Sequence, residues 1–84
     1  MLKELENEKA YNPIGKVIRV FEDEWHSISA VTKHENKYYL GKSDANWRYR
    51  QLGVKDDMFR APWPMSEDEA RKIREILKKE GVVK

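Results

Sequence analysis

Apolar positions along this chain fall in short, interrupted groups, and only the last group keeps a helical period. Ala70, Ile73, Ile76 and Leu77 form one stripe at that spacing. Ser66, with Glu69 three residues on, makes a capping box, because the two side chains satisfy amide donors at a helix start. Glu67 and Asp68 put negative charge where the helix dipole is positive. Gly81 stands where a left-handed stop belongs, with Val82 placed to fold back towards Leu77. The pattern predicts a helix over 66–80.

Upstream, the pattern is that of strands. Lys16 to Asp23 is rich in β-formers (Val17, Ile18, Val20 and Phe21) but does not alternate cleanly, which implies two covered faces or a bulge. Glu22-Asp23-Glu24 ends it as an acidic turn. From His26 to Lys33, Ile28, Ala30 and Thr32 share one face, and Ser27, Ser29 and Val31 the other. His34-Glu35-Asn36 reads as a turn and Lys37 to Lys42 as the return strand. The hairpin spans 26–42, with a loop of two or three residues and an open register. After the turn Ser43-Asp44-Ala45-Asn46, residues Trp47 to Leu52 alternate as an edge strand does, and Gly53 closes it. The first ten residues read as a short helix on Leu2 and Leu5, stopped by Asn12-Pro13-Ile14-Gly15. Two prolines hold Ala61-Pro62-Trp63-Pro64 extended. The expected fold is α+β: a small antiparallel sheet of three to four strands covered by a C-terminal helix, with a short N-terminal helix. It forms a single domain over 1–84, with a weakly helical segment 1–15, strands within 16–53 and the helix at 66–80.

Composition narrows the function classes. A chain of 84 residues has a thin core, so its nine aromatic residues cannot all be inside, and some belong to the surface or to a contact. The absence of cysteine excludes disulfides, thiol nucleophiles and thiolate zinc sites, and fits a reducing compartment. The acidic N-terminus has no apolar leader and no apolar run is long enough to span a bilayer, so the expected location is cytoplasmic, with no membrane partner. The net charge of +2 is unevenly spread. Residues 1–24 carry four basic against six acidic side chains, and residues 33–55 six basic against two acidic. A basic middle permits an anionic partner.

That middle holds most of the candidate binding residues: Trp47, Arg48, Tyr49 and Arg50, with Lys33, Lys37 and Lys42 on the preceding hairpin. Arginines pair with phosphates and aromatics stack on bases, but alternation puts Trp47 and Tyr49 on one face of a strand and Arg48 and Arg50 on the other. Core-facing aromatics with solvated arginines are the plainer reading. Trp63 is a further candidate, as a partner anchor or as a lid packed over the helix start. The basic residues of the last helix face acids at i,i+4, in Glu67–Arg71, Asp68–Lys72 and Glu75–Lys79, which serve the helix itself. His26 and His34 lie roughly 26 Å apart along a strand and cannot share a metal. No metal, cofactor or catalytic motif is found, so an enzyme is not expected.

The β-β-β-α order over roughly 25–80 resembles, in topology alone, integrase arm-binding domains and related plant DNA-binding modules, with Ser66-Glu67-Asp68-Glu69-Ala70 similar to the start of their bracing helix. That resemblance implies a three-stranded sheet entering the major groove. The expectation from the residues themselves is a small non-catalytic interaction module, a bacterial or phage accessory protein acting through protein–protein contacts or self-association. Nucleic-acid binding by the basic hairpin and sheet face is the alternative, and a small-ligand site at a dimer interface lined by Trp47, Tyr49 and Trp63 is a third reading.

Overall fold

A computed structural model describes residues 2–43, 46–52 and 66–82. The chain forms two compact units, Met1–Leu52 and Gly53–Lys84. The Gly53 strand stop and the extended segment around Trp63 lie outside the described residues, as do Asp44 and Ala45.

The first unit is a five-stranded antiparallel meander, β1 (Lys3–Leu5), β2 (Lys16–Glu22), β3 (Ile28–His34), β4 (Lys37–Lys42) and β5 (Arg48–Leu52), in that spatial order. The sheet therefore has five strands, one more than the upper expectation, and the expected N-terminal helix is absent. Lys3–Leu5 pairs with β2 instead, setting Leu5 opposite Val20, and only a single 3₁₀ turn, Asn7–Lys9, follows. The physical reason is that Leu2 and Leu5 are too few to anchor a short helix. A ladder gives the same residues backbone partners, and Glu4 adds a bidentate ion pair to Arg19, with both N–O distances 2.6 Å.

The irregular pattern of Lys16–Glu22 is a bulge. The β2–β3 register shifts between Val17 and Arg19, leaving Ile18 as the extra residue. Beyond it Val20 stands opposite Ala30, and Arg19 opposite Val31. The β3–β4 hairpin closes with His34 opposite Lys37, so its loop is the two residues Glu35 and Asn36. Their φ values of 51° and 65° are those of a type I′ turn, whose twist matches the strands.

Directly opposed residues share a face. One face carries the rows Phe21–Ser29–Lys42–Arg48, Arg19–Val31–Leu40–Arg50 and Lys33–Tyr38–Leu52. Phe21, Val31, Leu40, Tyr38 and Leu52 are buried there. The other face carries Leu5–Val20–Ala30–Gly41–Tyr49 across all five strands, beside Val17–Thr32–Tyr39–Gln51. Val20, Ala30 and Thr32 are fully buried on that side. Central β3 is thus covered on both faces, and the three strands of the basic middle lie together as β3–β4–β5.

The second unit contains α1 (Glu67–Lys79). Ser66 caps it, its Oγ accepting from the Glu69 amide at 3.1 Å. Asp68 pairs with Arg71, one turn position closer than the expected Lys72, at 2.6 Å. Ala70, Ile73, Ile76 and Leu77 are buried, as the stripe requires. Gly81 has φ +83°, the Val82 amide donates to the Leu77 carbonyl at 2.8 Å, and the Gly81 amide to that of Lys78 at 3.1 Å. These two bonds complete a Schellman stop.

Candidate interaction surface

The register separates the basic candidates. Lys33, Lys42, Arg48 and Arg50 belong to the face that holds Leu40 and Val31, whereas Lys37 lies on the opposite face with Tyr39. Lys42 is only 3% exposed, between Ser29 and Arg48, so it presents no charge to a partner. Lys33 lies over the Tyr38 ring, its Nζ 5.4 Å from the centroid, a cation–π contact. Arg48 is exposed; Arg50 is half-buried and already engaged. The fold brings no single exposed basic face together from these residues, and Trp63 lies outside the described ones.

The aromatic candidates do converge. Trp47 precedes β5 instead of opening it, because Asn46 and Trp47 both take positive φ, 57° and 55°. Its amide donates to the Lys42 carbonyl at 3.1 Å, which closes the β4–β5 loop. A left-handed tryptophan is uncommon and costs about 1–2 kcal/mol of backbone energy. The ring is thereby stacked on Tyr49, with centroids 6.3 Å apart and planes 27° from parallel. Tyr11 also meets Trp47, tilted by 48° with centroids 6.2 Å apart. Tyr49 lies over Gly41, where any Cβ would collide with its ring, and its hydroxyl donates to the Tyr11 carbonyl at 2.9 Å. Burial pushes the Tyr49 phenol above its ordinary pKa. Gly41 thus makes room for a ring that ties the N-terminal segment to β5. Sequence alone marked Trp47 and Tyr49 but missed Tyr11, since nothing local links residues so far apart.

A second aromatic feature sits in the β2–β3 turn. Trp25 is 76% exposed, yet its backbone is held firmly. Asp23 Oδ1 accepts from the amides of both Trp25 and Ser27, each at 2.9 Å. The Asp23 amide donates to the Ser27 carbonyl at 3.0 Å, and the His26 amide to the Asp23 carbonyl at 3.1 Å. His26, at φ 63°, has Nδ1 3.6 Å from Glu22 Oε2. The Ile28 amide donates to Ser43 Oγ at 2.8 Å, linking this turn to the β4–β5 loop. The sequence carried a signal for Trp25: a large apolar residue among turn formers between two strands has no ladder position that would bury it.

Among the described residues, no three His, Cys, Asp or Glu side chains gather as a metal site, and no helix is long and apolar enough to cross a membrane. No protein-family model, curated protein or solved structure matches this chain.

Proposed function

We propose that this protein is a non-catalytic interaction module, a bacterial or phage accessory protein, that docks a protein partner through the Trp25 turn. One observation carries the reading: a tryptophan 76% exposed on a backbone that its own turn has already fixed. Pre-organisation lowers the ordering cost of binding, and tryptophan is among the residues enriched where a few side chains dominate an interface. Glu22, Asp23 and Glu24 immediately precede it in the chain, so the complementary surface is an apolar pocket with a basic rim. Nucleic acid has less support, because the buried Lys42 and the opposite-facing Lys37 break up the basic face it would need.

The test places a photo-crosslinking amino acid at Glu24 in the full chain, expressed in its native host. The expected result is one discrete crosslinked protein that disappears when Trp25→Ala is added, with that substitution weakening binding of the purified partner by about 2 kcal/mol. Crosslinks that survive Trp25→Ala, or none at all, overturn the proposal.

A further inference from the structure

We infer that Tyr11 is a second anchor of the Trp25 docking surface. The partner is one protein that meets it with a basic-rimmed pocket for the indole and an uncharged apolar patch for the phenol ring. This inference rests on the Trp25 reading and extends it. Among the described residues two large apolar side chains are exposed, Trp25 at 76% and Tyr11 at 60%. They are distant in sequence, yet the meander brings them towards one end of the sheet. The Glu22–Ile28 pair opens the β2–β3 turn that carries Trp25. Ser29, the next residue of β3, stands opposite Lys42, whose pair with Arg48 closes the loop that carries Trp47. Both loops therefore leave the same end of the sheet, tied together by the Ile28 amide on Ser43 Oγ. They lie two strand spacings apart, about 10 Å, and Tyr11 packs on Trp47.

Like Trp25, Tyr11 is held in place before anything binds. Its carbonyl accepts from the Tyr49 hydroxyl at 2.9 Å, and its ring rests on Trp47. Trp47 keeps a left-handed backbone, φ 55°, and strain of this kind collects at binding sites. The two anchors differ in their surroundings. Glu22, Asp23 and Glu24 precede Trp25, whereas Ala10, Asn12 and Pro13 flank Tyr11 without charge. Asn12 and Pro13 are themselves exposed. Binding at the Trp25 end is therefore screened by salt, and binding at the Tyr11 end is not.

The test places the photo-crosslinking amino acid at Asn12 in one full-length variant and at Glu24 in another, each expressed in the native host. The expected result is the same protein at both positions, identified by mass spectrometry. The Asn12 product should disappear with Trp25→Ala, and the Glu24 product should fall with Tyr11→Ala. With that protein purified, Tyr11→Ala should weaken binding about tenfold and leave its salt dependence unchanged. Glu24→Gln should instead flatten the salt dependence. The Asn12 product reports proximity directly, whatever Tyr11→Ala does to folding. A Glu24 product without an Asn12 counterpart, or with Asn12 joined to a different protein, overturns this inference and leaves the Trp25 reading intact. So does a Glu24 product that survives Tyr11→Ala unchanged. No product at Glu24 overturns both. A product of twice the chain's mass makes a second copy the occupant and overturns the separate partner.

Discussion

At residue 41 an alanine methyl would occupy the space that the Tyr49 ring already fills. To fit, the ring must swing away, losing the Tyr11 carbonyl bond and the Trp47 stack together. Gly41→Ala should therefore cost about 2 kcal/mol in urea denaturation and reduce the near-ultraviolet circular dichroism of the aromatic cluster. The Tyr49 hydroxyl makes a separate, titratable contribution. Burial raises its pKa in the folded protein, so over the window above the ordinary tyrosine value the folded chain holds a proton that the unfolded chain has lost. That contribution is complete below the ordinary value and disappears as pH rises through the raised one. Stability should decline above about pH 10, and the decline should be shallower in Tyr49→Phe. The same variant should lose about 1 kcal/mol at neutral pH, from the missing hydrogen bond.

Two elements owe their ends to single residues. The β3–β4 hairpin turns on Glu35 and Asn36, both left-handed. Asparagine adopts this conformation at lower cost than glutamate, so the first turn position carries avoidable strain. Glu35→Asn should raise stability by about 0.5–1 kcal/mol, seen as a higher melting temperature with the sheet spectrum unchanged. At α1 the Ser66 hydroxyl is the acceptor for the Glu69 amide. Ser66→Ala removes it and should cost about 1 kcal/mol, with hydrogen exchange accelerating first in the turn that follows.

The whole molecule combines a well-anchored sheet with an aromatic residue that stabilises it little. Trp25 is mostly exposed, and its turn is held by Asp23 and Ser27 rather than by the indole. Trp25→Ala should change unfolding free energy by less than about 0.5 kcal/mol while abolishing partner capture. Asp23→Ala, which removes the acceptor of two amides, should instead loosen the turn and weaken capture with the indole still present. The contrast between the two variants separates an anchor from a structural residue.

Local chemistry written in consecutive residues was legible from the sequence. The Ser66 cap, the stripe from Ala70 to Leu77 and the Gly81 stop define α1 because helix signals act within a few positions of one another. The hairpin, the face sharing of Ile28, Ala30 and Thr32, and the disturbed period of β2 were legible for the same reason. Tertiary pairing decided what local pattern leaves degenerate. Leu2 and Leu5 suit a short helix or an edge strand, and the ladder to Val20 selected the strand. Lys42 reads as a surface charge, yet in the folded chain it is buried, at a register position between Ser29 and Arg48. Tyr11 meets Trp47 and Tyr49 only once the meander has brought distant segments together. The chain's aromatics were plain in its composition, but which of them reach solvent depended on register, and register is a property of pairs of strands.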